Sequence, residues 1–289
     1  MHTHVVGTLR RSFTLVRTSW AVLRQDKELI ILPVLSVIAA GFLVLPFFIG
    51  AIAIGATSDS DSLGPVGWVL MFIGYVVGAY VTIFFQTALV LGANDRLTGG
   101  NPSLGSALSM AASNAGRILP WAIISATVSV VLQAIQERAG AIGRIVVGLV
   151  GLAWTLVTML VLPILVIEQV GVKDALSRSA TAFKRTWGEN VVGNGGIGIV
   201  GFLGTLLGLV VAGPIVALGV SRSATGLVVV GVVLFVLWVL LVSAFTSALS
   251  AVFRTALYRF AVLGEEPSGF THEQIAGAFR PKSTSASAA

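Results

Sequence analysis

Six apolar runs dominate this chain, at residues 30–56, 66–91, 118–135, 142–167, 191–220 and 227–251, and the shortest of them has 18 residues. They contain no acidic residue and a single cation, Arg144, near the start of the fourth run. A helix of about 20 apolar residues crosses a hydrocarbon layer ~30 Å thick. In lipid the backbone must close its hydrogen bonds within the segment, which selects helices. The runs therefore predict six membrane-spanning helices. Composition agrees, with 56% hydrophobic residues, 10% charged residues and a mean hydropathy of +0.96. A soluble domain carries roughly 25% charged residues, so this chain has too few charges to cover a water-facing surface.

The segments between the runs are basic and amphipathic. In residues 5–24, Leu9, Phe13, Val16, Trp20 and Leu23 recur at helical spacing, with Arg10, Arg17 and Arg24 beside that face. Such a helix fits the headgroup plane, its apolar side in lipid and its cations among phosphates. The competing reading is a soluble helix packed on a protein core; the span that follows at once favours the membrane surface. A second such segment follows the fourth run. That span ends at residues 163–167, Glu168 and Gln169 mark the water boundary, and a basic stretch runs on to Trp187. Asn101 with Pro102 predicts the cap of a short helix over residues 103–115. Pro33 and Pro46 mark kink positions in the first span. Thr271 and Gln274 have capping-box spacing and predict a last helix over 271–279, before a disordered tail at 281–289.

The cations set an orientation. Fifteen of the 18 Lys and Arg residues fall before the first span, between the second and third, between the fourth and fifth, or after the sixth. Only Arg138, Arg144 and Arg222 fall on the other side. The positive-inside rule then places both termini in the cytoplasm of a cell-membrane protein.

The chain also repeats itself. RSFTLVRTSW at residues 11–20 matches RSATAFKRTW at 178–187, with Arg, Ser, Thr and Trp identical and Arg17 opposite Lys184. FQTAL at 85–89 matches FRTAL at 253–257, at nearly the same offset. A fainter match aligns SALSMAASNAGR at 106–117 with DALSRSATAFKR at 174–185. The predicted fold is an all-α polytopic membrane bundle: six spans in three parallel pseudo-repeats, each preceded by a short cytoplasmic interfacial amphipathic helix. It forms one transmembrane domain over 1–280, with units at about 5–91, 103–167 and 172–262.

Residues 163–187 place Pro-Ile-Leu-Val-Ile-Glu before an Ala-Leu-Ser-Arg-Ser helix. This segment resembles a family of uncharacterised bacterial six-span integral membrane proteins. It is also similar to the membrane domain fused to some glycerophosphodiester phosphodiesterases. The resemblance extends over most of the chain, but only this segment is specific. It implies a cytoplasmic-membrane protein of six helices. It carries over no catalytic residue, because the phosphodiesterase chemistry belongs to a separate soluble domain.

The search for chemistry returns mostly absences. With no cysteine, there is no disulfide, thiolate nucleophile or Cys-ligated metal. All 12 acidic residues lie in loops or at span ends, so no carboxylate within a span offers a proton or cation relay. The histidines are His2, His4 and His272, all near a terminus. Residues 193–201 are glycine-rich but lack the lysine of a phosphate-binding loop. No catalytic residue, metal site or cofactor is expected. Gln86, Thr87, Thr155, Thr158, Ser243, Thr246, Ser247 and Ser250 are the polar residues within spans, expected to hydrogen-bond between helices. Gln86 and Glu168 are the polar residues that invite a functional role, Glu168 with an ion pair to a nearby Arg as its plain alternative. Gly74 with Gly78, and Gly204 with Gly208, have the spacing of close helix packing. Arg11, Arg17, Trp20, Arg178, Lys184, Arg185 and Trp187 form the expected lipid-binding set. An indole prefers the headgroup level and cations meet lipid phosphate there. The expected function is a non-enzymatic scaffold or regulatory, partner-binding protein that holds anionic lipid. The alternative is a transporter or channel component for a lipid or other amphiphile. Expected partners are anionic membrane lipids and an unidentified protein, and not nucleic acid, because the cations sit beside apolar spans.

Overall fold

The structure is a computed structural model that describes residues 19–21, 24, 26–56, 63–187 and 193–265. Every regular element among the described residues is helical. A 3₁₀ turn, Lys27–Ile30, leads into α1 (Ile31–Ala56), followed by α2 (Gly64–Leu97), α3 (Leu104–Ser113), α4 (Ala115–Arg138), α5 (Ala141–Thr158), α6 (Val161–Ile167), α7 (Val172–Trp187), α8 (Gly193–Ser221) and α9 (Thr225–Tyr258). A π-helical turn, Arg259–Leu263, closes the series. Among the described residues, six segments are long and apolar enough to cross a membrane: Glu28–Gly55, Gly64–Leu97, Ala115–Arg138, Ala141–Ile167, Val200–Ser221 and Thr225–Leu263. The chain is an all-α, multi-pass membrane protein. Its spans carry Phe42, Ile142 and Phe202 outward, while Ala107, Ala111, Ala122, Ala126 and Ala248 fill buried positions. In lipid there is no hydrophobic drive to bury large side chains, and small ones let backbones approach.

The chain divides into two compact units, Leu35–Gly92 with Pro102–Arg185, and Met1–Val34 with Ala93–Asn101 and Thr186–Ala289. In the first unit, α4 and α5 form a hairpin across Ala139 and Gly140. Trp121 stacks on Trp154 there, with ring centroids 6.1 Å apart, and Arg144 donates to the Ala139 carbonyl at 3.2 Å. Tyr80 of α2 donates to the Ala115 carbonyl at the start of α4 (3.3 Å). In the second unit, α8 and α9 form a second hairpin around Arg222–Ala224.

Three local expectations are corrected. The cap of α3 is Ser103, not Asn101 with Pro102. The Ser103 hydroxyl accepts from the Ser106 N–H, and the Ser106 hydroxyl accepts from the Ser103 N–H, the reciprocal pairing that satisfies two orphan donors. The helix expected to reach residue 115 stops at Ser113, and α4 starts two residues later, at Ala115, with Asn114 between them turning its amide onto the Met110 carbonyl at 2.9 Å. The fourth span is two helices, with a break at Met159–Leu160 ahead of Pro163. The Pro163 ring has no N–H to give and would crowd the carbonyl four residues earlier, which is Met159. By contrast α1 runs unbroken through Pro46, and Pro33 sits in its first turn, where the N–H has no intrahelical partner in any case. The expected helix at 271–279 and the tail at 281–289 lie outside the described residues, as does most of the segment 5–24.

Candidate functional site

The break before Pro163 positions the most structured polar feature of the first unit. Beyond it, α6 carries the chain to Glu168, the backbone turns at Gln169, and α7 begins at Val172. Gln169 holds the left-handed conformation, φ 56°, common just past a helix end but costly for a side chain other than glycine. Two contacts fix the elbow: Glu168 pairs with Arg178 of α7, and the Ser179 hydroxyl donates to the Val157 carbonyl of α5. Ala175, Ser179 and Ala182 bury one face of α7, while Lys173, Asp174, Ser177, Arg178 and Thr181 are exposed. The Arg178 side chain keeps 53% of its surface exposed despite its ion pair. An exposed pair of this kind contributes at most about 1 kcal/mol, so the contact orients the guanidinium more than it stabilises the fold.

The remaining predicted site residues fall in different places. Arg11 and Arg17 lie outside the described residues, and so do the side chains of Lys184, Arg185 and Trp187. Trp20 is half-buried and sets its ring against Phe245, centroids 5.1 Å apart, so part of its indole is engaged within the protein. Gly74 and Gly78 face α1: a Cβ added at Gly74 would stand 2.9 Å from Phe47 Cβ, and one at Gly78 would stand 3.2 Å from Val44 Cγ2. Gly204 and Gly208 form a slot on α8 that receives Trp238 of α9. The indole N–H donates to the Gly204 carbonyl at 2.7 Å, and a Cβ at Gly208 would fall 2.1 Å from Trp238 Cδ1. Gln86 is half-buried on α2.

The threonines within spans do not bridge helices. Thr87, Thr155, Thr158 and Thr246 each donate to the carbonyl four residues earlier in their own helix. Thr82, Thr127, Thr205 and Thr255 do the same. The expectation that the polar span residues bond between helices is therefore corrected for these threonines. In hydrocarbon the nearest acceptor for a hydroxyl is the carbonyl one turn back on the same helix. Bonds between helices come instead from Tyr80, Ser179 and Trp238, none of which stands out in the sequence.

Sequence reasoning also missed a polar network in the second unit. Asp26, buried just before the 3₁₀ turn, takes both Nε and Nη2 of Arg96 at the end of α2. Arg96 Nη2 also donates to Asn101 Oδ1 at 2.8 Å. Nearby in sequence, Asn94 Oδ1 accepts from Arg259 at 2.9 Å, and Arg259 pairs with Glu265. In the sequence these arginines stand out only as orientation signals. Asp26 lies 70 residues from Arg96, and no local pattern links them.

No curated protein and no solved structure matches the chain, and no finding connects it to the membrane domain fused to glycerophosphodiester phosphodiesterases. What does match, over residues 65–270 and so over more than half of the chain, is DUF6159, a family of unknown function, and the chain belongs to that family.

Proposed function

We propose that this chain is a non-enzymatic scaffold of the cytoplasmic membrane, with both termini inside, that holds anionic lipid against basic helices and binds a protein partner. The burial pattern of α7 is the observation that carries the reading. Its buried face of Ala175, Ser179 and Ala182 leaves Lys173 and Arg178 exposed on the other side. Each cation near an anionic leaflet contributes about 1 kcal/mol of attraction. Arg178 is oriented by Glu168 yet half exposed, so a lipid phosphate can compete for it. The non-enzymatic part rests on the sequence, with no cysteine and with its three histidines near the termini.

A path for an amphiphile would need polar groups lining one continuous cavity. The back-bonded threonines support the scaffold reading instead, because each hydroxyl proton is engaged by its own helix.

The arrangement in three parallel units belongs to the same proposal. Aligned positions support it: Ala107 and Ala111 on α3 and Asn114 just past its end are buried, as are their counterparts Ala175, Ser179 and Ala182 on α7. Thr87 and Thr255, also aligned, are both buried and both bond four residues back.

Replacing Arg11, Arg17, Arg178, Lys184 and Arg185 with Gln tests the lipid reading. Native mass spectrometry of the purified variant should show weaker retention of phosphatidylglycerol relative to phosphatidylcholine. Unchanged preference for the anionic lipid would reject the anchors in favour of protein contacts.

A further inference from the structure

We infer that a cleft beside the α6–α7 elbow is a binding site for a phosphate ester, with Arg117 as the residue that takes the phosphate. The inference rests on the lipid-holding proposal only for the source of the ester. The cleft is shallow and open to its surroundings, with about 550 Å³ of space between the stretch from Ser113 to Pro120 and the stretch from Gln169 to Val172. Small-molecule sites run roughly 300–1,000 Å³, so a headgroup-sized ligand fits. It lies where α4 begins, at Ala115, and just past the end of α6, at Ile167. Two spans terminate there, which puts the cleft at headgroup level and not in hydrocarbon.

The guanidinium at this place is prepositioned. Asn114 is 5% exposed. Its amide donates to the Met110 carbonyl at 2.9 Å, and its Oδ1 accepts from Arg117 Nη1 at 2.9 Å. The remaining Arg117 donors meet no acceptor among the described residues. No carboxylate there lies within ion-pair distance of Arg117, the nearby Glu168 being paired with Arg178. Asp174 approaches Gly171 but does not line the cleft. A planar fork of unused donors beside a cleft without a carboxylate matches a phosphate, which guanidinium binds through two parallel hydrogen bonds.

The rest of the wall suits an ester more than a bare ion. Pro120, Val170 and Val172 give it an apolar side, and Gln169 and Ser113 give it polar atoms. Gln169, which lines the cleft, occupies a left-handed position that glycine would hold without strain, so a side chain is kept there against the backbone preference. Gly116 lines the cleft, and a Cβ added there would meet nothing within 4 Å. A side chain at 116 therefore starts in open space at the edge of the cleft.

The test uses the full chain in two settings. In one, it sits in phosphatidylcholine nanodiscs carrying a minor fraction of phosphatidylglycerol, read by native mass spectrometry. In the other, delipidated protein in detergent is titrated with glycerol 1-phosphate by calorimetry. Arg117→Gln should weaken binding about tenfold, the loss of a charge-assisted bond. Gly116→Leu should weaken it comparably by occupying the space. Arg117→Lys should recover only part, because an ammonium lacks the fork. An effect confined to nanodiscs assigns a lipid source, and an effect in the titration assigns a soluble ester. Wild-type binding by both Arg117→Gln and Gly116→Leu overturns the site. So does wild-type binding by Gly116→Leu alone, since that marks Arg117 as diffuse surface charge. The Gln variant of the five anchor cations leaves Arg117 intact, so the two proposals fail separately. Lost selectivity in that variant, with wild-type behaviour of Gly116→Leu, keeps the anchors and removes the cleft; the opposite pattern keeps the cleft.

Discussion

Gly208→Ala should destabilise the α8–α9 hairpin, although alanine is the better helix former by about 1 kcal/mol. The added Cβ would stand 2.1 Å from Trp238 Cδ1, 2.6 Å from Nε1 and 2.9 Å from Cγ. Carbon atoms prefer separations near 3.5–4.0 Å, so the indole must retreat by more than about 1 Å. Its N–H now lies 2.7 Å from the Gly204 carbonyl, and such a retreat carries it beyond hydrogen-bond range. Overpacking of this kind costs about 1–3 kcal/mol, and an interhelical hydrogen bond in a membrane contributes roughly 0.6–1.7 kcal/mol. After the gain in helix propensity, the expected net loss is about 1–4 kcal/mol. Gly198→Ala on the same helix meets nothing within 4 Å and should be neutral or mildly stabilising. Unfolding by SDS in mixed micelles, followed by far-UV circular dichroism, measures the difference. In a Trp238→Ala background the space is free, and Gly208→Ala should then cost nothing measurable. If it costs as much there as in the wild type, the slot is not the cause. If it costs nothing in the wild type, the close approach is wrong.

Two further outcomes concern topology and the buried network. The chain has no cysteine, so single cysteines at Ser60, Ala139 and Ser223 report their own side of the membrane; an impermeant maleimide should reach all three from outside. Labelling of any one only from the cytoplasmic side rejects six crossings with both termini inside, and with them the parallel units. Asp26→Ala strips Arg96 of the carboxylate that holds its Nε and Nη2 and should cost about 3 kcal/mol, as removal of one partner from a largely buried pair does. Arg96→Gln added to it should recover part of that loss in the same SDS titration. A single variant as stable as wild type would show that the pair contributes nothing.

The six spans were legible because lipid makes hydropathy nearly sufficient: a long uncharged run has few other places to go. The details that failed depend on contacts distant in sequence. Asn101 looked like the cap of α3, but Arg96 uses its side-chain oxygen, and Ser103 caps instead. The pair Gly204 and Gly208 signalled a close approach without naming what approaches. Trp238 fills the slot from 34 residues beyond Gly204, and nothing in its neighbourhood marks it apart from the other tryptophans. The break before Pro163 was readable in principle from proline chemistry, yet the apolar run continues through it to Ile167. Hydropathy tracks solvent preference and is blind to a missing N–H.

The cations show why a charge count can give an orientation and still not give a site. Counted together, the arginines on the proposed inner side argue for attraction to an anionic leaflet. Taken one by one, they have different tasks. Arg96 is held by Asp26, Arg259 by Asn94 and Glu265, and Arg178 by Glu168. A guanidinium already engaged by a carboxylate must give up that bond before it can take a phosphate, so paired arginines are poor first choices for lipid. Arg117 differs, because its orienting partner is the neutral Asn114. A neutral partner fixes direction without neutralising charge, which is the combination an anion site requires. Phosphate affinity should therefore rank Arg117 above Arg178, and Arg178 above Arg96. Single Gln substitutions compared for loss of phosphatidylglycerol should follow that order, and a larger loss at Arg96 than at Arg117 would contradict it.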